Sequence, residues 1–212
     1  MCAVRRRRSN ISTTFEDEAR ALGYQMVAGI DEVGRGALAG PVVAAAVILD
    51  PLAPLPKGLD DSKKLTARER ERIAEELRHT AIAFSIGLIE AEEIDRINIL
   101  QATRRAMLAA VNGLLQPRAD YLLIDALQLK ESCLPQRAII RGDSVSASIA
   151  AASIIAKTHR DQLMRQLHDV YPQYNFASHV GYGTRAHIEA LRTHGASSIH
   201  RKSFRGVLPL AE

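Results

Sequence analysis

Three acidic residues stand where apolar runs should exclude them. Asp31 and Glu32 are adjacent at the end of the apolar stretch 25–30, and Asp125 interrupts a second one, 121–127. Unpaired buried carboxylates are costly, so such groups pair with a counter-charge or coordinate a metal, and neither run contains a basic residue. Neighbouring strand residues point to opposite faces. Asp31 and Glu32 therefore reach one ion only where the strand is ending, as the glycines at 34 and 36 allow. A fourth acid, Asp143, lies in Arg141-Gly142-Asp143-Ser144 ahead of an Ala- and Ser-rich segment, where helix capping is the plainer reading.

Donors that are all oxygen, with no Cys or His set beside them, favour a hard cation, Mg2+ or Mn2+. Carboxylate clusters of this kind activate water and stabilise a leaving oxygen, which suits phosphodiester hydrolysis. A structural Ca2+ site and a phosphoryl transferase are the competing readings. The first would need EF-hand spacing. The second would need a glycine-rich phosphate loop, and the chain has neither.

Gly34-Arg35-Gly36 follows the acidic pair directly. Backbone without side chains admits a nucleic-acid sugar closely, and the arginine can hold a phosphate; a plain flexible turn is the alternative. Six of the seven histidines fall between Lys157 and Arg205. They lack HExxH spacing, which favours surface or packing roles over metal ligation. That segment carries eight Lys/Arg against three acids, together with Tyr171, Tyr174, Phe176, Tyr182 and Phe204. It is a candidate surface for phosphate contact and stacking.

The elements that must position these groups read as α/β. Strands are expected at 25–30, 42–49, 81–89, 121–127 and 137–140. Thr66 and Glu69 make a capping box that opens a helix to about residue 79. One helix is expected from residue 90 across 98 to 115, a long one from the Ala/Ser-rich segment to Pro172, and a last one stopped by Gly195. The 212 residues and 47% hydrophobic content suit one domain over 21–212, helical from about residue 165, behind a flexible basic arm over 1–20. Without Arg5, Arg6, Arg7 and Arg8 the basic and acidic residues balance, 24 against 24. The arm is either a nucleic-acid contact or a solubilising tail. No apolar run reaches the ~18 residues of a membrane helix, and the basic N-terminus has no apolar stretch behind it, so a cytoplasmic location is expected. Cys2 and Cys133 read as unpaired thiols.

Assembled in order, these residues resemble the ribonuclease HII family, the type 2 ribonucleases H. The likeness spans about residues 27–204 and is carried by GIDEVGRGALAGPVVAAAVIL, DDSKKL, YLLIDA, RGDS, AAASIIAKTHRD, YPQY, HVGYGT and HRKSF. It implies a ribonuclease H-like fold, a central mixed β-sheet flanked by helices. It also implies cleavage of RNA in RNA–DNA hybrids and incision 5′ of single ribonucleotides in duplex DNA, leaving 3′-hydroxyl and 5′-phosphate ends. By the same resemblance Asp31, Glu32, Asp125 and Asp143 are the catalytic metal-binding acids, which replaces the capping reading of Asp143. Gly34, Arg35 and Gly36 grip the ribonucleotide and its 2′-hydroxyl, Tyr182 stacks on the deoxyribose at the RNA–DNA junction, and Lys63 and Lys64 contact backbone phosphates. The implied partner is nucleic acid, with a monomer as the default. Three positions depart from the family pattern: Ala126 and Asn175 stand where glycine is common, and Val180 where lysine is. From sequence, Ala126 is expected to alter packing, and Asn175 to keep a left-handed backbone. A DNA-only nuclease of the same fold and a non-catalytic duplex-binding module are the rival functions.

Overall fold

A computed structural model describes residues 10–208; Cys2 and the arginine run at 5–8 lie outside them. Five strands form one mixed sheet: β1 (Val27–Val33), β2 (Val42–Leu49), β3 (Ala81–Ile89), β4 (Tyr121–Asp125) and β5 (Gln136–Ile139). Their spatial order is β3-β2-β1-β4-β5. β1 and β3 run antiparallel to β2 on either side of it, while β4 runs parallel to both β1 and β5.

The helices are α1 (Thr14–Ala21), α2 (Ala67–Thr80), α3 (Ala91–Ile97), α4 (Ile99–Asn112), α5 (Ala147–Val170), α6 (Phe176–His179) and α7 (Arg185–His194). β2 is apolar and buried throughout because both faces are covered. Val42, Ala44, Ala46 and Ile48 face α4, through Ala102, Ala106, Met107 and Ala110. Val43, Ala45, Val47 and Leu49 face α2 and α5. The small residues at the start of α5 let it lie directly on β1, so that a Cβ at Gly29 would come 2.1 Å from the backbone carbon of Ser148.

The capping box forms as its sequence indicates, with Thr66 and Glu69 bonding reciprocally. Three elements differ from expectation. The first strand, expected to end at residue 30, runs to Val33: its pairing with β4 stops at Ile30, but its pairing with β2 continues through Asp31 and Glu32. The helix expected to continue across residue 98 is two helices, because Asn98 adopts φ 68° and its side chain accepts from the N–H groups of Leu100 and Gln101 to start α4. Residues 14–21, grouped from sequence with the basic arm, form α1. Its Glu16 is 1% exposed and accepts from the Ser146 hydroxyl and the Ser148 N–H, both at 2.7 Å, at the N-terminus of α5.

Candidate active site

Parallel pairing sets Ile30 of β1 beside Ile124 of β4. The next residue of each strand, Asp31 and Asp125, therefore emerges at the same level. β5 then leads into a short 3-10 turn, Gly142–Ser144, which carries Asp143 back toward them. The Gly142 N–H donates to Asp125 Oδ1 at 2.7 Å and fixes that carboxylate. Asp143 does not cap α5, since Ser146 is the N-cap and accepts from the Ile149 N–H. With capping done by Ser146, Asp143 is left for the site.

The four carboxylates share one electrostatic environment. Asp31 is 5% exposed, and burial raises its pKa well above the usual aspartate range, with the charges of Glu32 and Asp125 adding to it. Burial also raises Glu32, against the opposing pull of Arg35. Asp125 is raised by burial too, partly offset by the Gly142 N–H, while the charge of Asp143 pushes it further up. Two side-chain cations stand on the group. Lys63 Nζ donates to Asp143 Oδ2 at 2.8 Å, and Arg35 Nη1 donates to Glu32 Oε1 at 3.1 Å. Lys64, half-exposed, pairs with Asp60 at 3.0 Å.

Among the described residues no three His, Cys, Asp or Glu side chains close tightly enough on one point to hold an ion. The donor set nonetheless fits a hard divalent cation. Every donor is a carboxylate oxygen, three of the four acids carry raised pKa values, and the buried Glu32 Oε2 has no hydrogen-bond partner.

Next to the acids, the two glycines of the Gly-Arg-Gly turn have different reasons for being glycine. Gly34 has φ 88°, and a Cβ there would meet Arg160 Nε at 2.2 Å. A Cβ at Gly36 would meet nothing within 4 Å. Fold packing thus demands the first glycine and leaves open space at the second. Tyr182 is held beside this turn by an antiparallel bridge to Ala37.

Two residues with no role assigned from sequence hold the turn in place. Arg160, fully buried, donates to the carbonyls of Pro41, Val180 and Ala39. Arg201, also fully buried, donates twice to Gly40 O and once to Arg35 O at 2.9 Å. Burial, followed by the charge of Arg160, lowers the Arg201 pKa to about 9. The one available sequence signal was the i, i+4 row Ala152, Ala156, Arg160, Met164, in which a charge interrupts a buried stripe.

This sheet and helix cover are shared with ribonuclease H2 from Pyrococcus horikoshii OT3, with a TM-score of 0.72 and 25% identity over 86% of this chain and 95% of that one. A more distant fold match is Bst-RNase HIII, described in complex with Mn2+, with a TM-score of 0.65 and 22% identity over 89% of this chain and 70% of that one. The fold is that of the ribonuclease H-type nucleases. A family model described as Ribonuclease HII matches residues 28–207. The Ribonuclease HII of Desulfitobacterium hafniense (strain DSM 10664 / DCB-2) is 57% identical over 182 residues, covering 86% of this chain and 69% of that protein. The chain belongs to the ribonuclease HII family and is an endoribonuclease.

Proposed function

We propose that this endoribonuclease incises duplex DNA 5′ of single embedded ribonucleotides and cleaves the RNA of RNA–DNA hybrids, leaving 3′-hydroxyl and 5′-phosphate ends. The observation that carries the reading is that Asp31 and Glu32 on the central strand β1, Asp125 at the end of the neighbouring β4, and Asp143 in the turn after β5 lie beside a Gly-Arg-Gly turn whose second glycine borders open space. The four acids would hold Mg2+ or Mn2+, which supplies water activation and charge neutralisation at the leaving oxygen. The chain's own residues handle the substrate. The backbone at Gly34 and Gly36 admits a ribose and senses its 2′-hydroxyl, the group that separates RNA from DNA at one position. Arg35 and Lys63, whose side chains are 44% and 78% exposed, reach phosphate oxygens from the rim, with Lys64 a further phosphate contact. Tyr182 stacks on the deoxyribose at the junction.

No helix among the described residues is long and apolar enough to cross a membrane. A cytoplasmic monomer acting on nucleic acid is the working state we assign. The basic run at 5–8 would add backbone contacts.

Three labelled duplexes with Mg2+ test the reading: all DNA, DNA with one ribonucleotide, and an RNA–DNA hybrid, each with an EDTA control. A nick 5′ of the lone ribonucleotide, lost in EDTA and absent from all-DNA, is the expected result. Cutting of all-DNA would reassign the substrate. Salt-sensitive binding without any cutting, Mn2+ included, would leave a binding module.

A further inference from the structure

Behind the Gly-Arg-Gly turn lies a buried cluster of His179, His187 and His200, with exposures of 7%, 0% and 1%. Their hydrogen bonds fix the proton positions. His187 Nδ1 lies 3.0 Å from the Tyr182 carbonyl. A carbonyl only accepts, so Nδ1 carries the proton and Nε2 of the neutral ring is bare. That bare nitrogen is 3.0 Å from His200 Nε2. His200 Nδ1 accepts from the Ser197 N–H at 3.0 Å, so His200 carries its proton on Nε2 and donates it to His187. The chain of donors therefore runs one way: Ser197 N–H to His200, His200 to His187, His187 to the backbone of Tyr182. Beside it, His179 stacks on His187 with ring centroids 4.5 Å apart, donates to the Tyr174 carbonyl at 2.8 Å and accepts from the Gly181 N–H at 3.3 Å.

This relay closes a loop that the backbone opens. Ala37 bridges Tyr182 and Ala39 bridges His200, so one segment after Gly36 pairs with the chain at both ends of the relay. Gly181 O accepts from Leu38 N, and Arg201 N donates to Leu38 O, each at 2.8 Å. Burial keeps the rings neutral, lowering His200 to about 4 and His187 below its usual value, in accord with the one-way chain.

We infer that His187 and His200 are positioning residues, which lock the Tyr182 backbone at a fixed distance from the Gly-Arg-Gly turn and thereby set selectivity for the RNA–DNA junction. The inference rests on the proposed role of Tyr182. A misplaced stacking ring penalises the substrate that needs it. It does not touch the acids on β1 and β4.

Two readouts test this. The first is the ratio of kcat/KM on a duplex with one ribonucleotide to that on an RNA–DNA hybrid. Tyr182→Ala should lower the ratio, and His187→Leu should lower it roughly tenfold, as a sub-ångström to ångström misplacement does. His187→Asn, which keeps a donor near the Nδ1 position, should recover most of the loss. Equal falls on both substrates, or an unchanged ratio, would overturn the relay's role. An unchanged ratio in Tyr182→Ala, or no cutting by the unmodified protein, would instead overturn the underlying reading. If His187→Leu does not fold, His200→Phe against His200→Gln makes the same comparison one step back. The second readout needs no variant. Two-bond 1H–15N correlation spectra of the metal-free protein should show His187 protonated at Nδ1 and His200 at Nε2, and the opposite tautomers would sink the inference.

Discussion

Ala126 follows the site acid Asp125 and sits at φ 54°, a left-handed conformation in which any Cβ is strained. Its N–H donates to Ile139 O at 3.0 Å, so the turn that ends β4 is held there by the sheet rather than by the residue. From sequence the methyl in place of a common glycine reads as a packing change. The structure puts its cost in the backbone. Ala126→Gly should therefore be neutral or stabilising by up to about 1 kcal/mol, where the same change inside a helix costs about 1 kcal/mol. Urea denaturation checks the sign, and a clear loss of stability would show that no strain is stored. Asn175 fits the same rule, with φ 55° at a position where left-handed backbone is expected. Val180, at φ 44°, is the harder case because it is β-branched, and Arg160 Nη1 holds its carbonyl at 2.9 Å.

At the scale of elements, the close approach of α5 to β1 decides where Asp31 lies, since Gly29 is two residues before it on the strand. A Cβ at Gly29 would overlap the Ser148 backbone, which cannot rotate away as a side chain would. Gly29→Ala should lower stability by about 1–3 kcal/mol through overpacking and reduce cleavage as α5 is pushed off the strand. A variant with unchanged melting temperature and rate would show that α5 has slack. The same scale shows what local sequence encodes. Apolar runs, the Thr66 capping box and the Ala/Ser-rich start of α5 are local signals, and each element formed. The break at Asn98 was illegible because the helical pattern continues through it with no Gly or Pro. α1 was illegible because its one buried acid, Glu16, is satisfied by residues about 130 positions away. The site divides in the same way. Acids inside apolar runs declare themselves, whereas Arg160 and Arg201 are bonded to carbonyls 20 to 166 residues distant, and only the small-residue row that Arg160 interrupts hints at either.

For the whole molecule, two sets of groups pull stability in opposite directions with pH. His179, His187 and His200 have lowered folded pKa values, so the stability they give is present above the unfolded histidine value and lost as pH falls. Asp31, Glu32 and Asp125 have raised folded values, so the folded state binds more protons than the unfolded one above the ordinary carboxylate range. Their contribution is complete below that range and is lost as pH rises through the folded values. At neutral pH without a divalent cation, the acidic cluster is therefore a standing cost to the fold. Comparison with Asp31→Asn separates this cost from the histidine effect, which both proteins share. In EDTA at pH 7 the variant should unfold at or above the temperature of the unmodified protein. That advantage should shrink as pH is lowered, because the raised folded value lets the unmodified carboxyl take up its proton before an ordinary aspartate would. Mg2+ at about 100 times its dissociation constant should stabilise the unmodified protein by about 2.7 kcal/mol, a rise of several degrees in Tm, and should do much less for the variant. A variant plainly less stable than the unmodified protein in EDTA at pH 7 would mean that the Asp31 carboxylate supports the fold on its own. The acidic cluster would then be part of the structural core, and its placement beside the Gly-Arg-Gly turn would no longer need a cation to explain it.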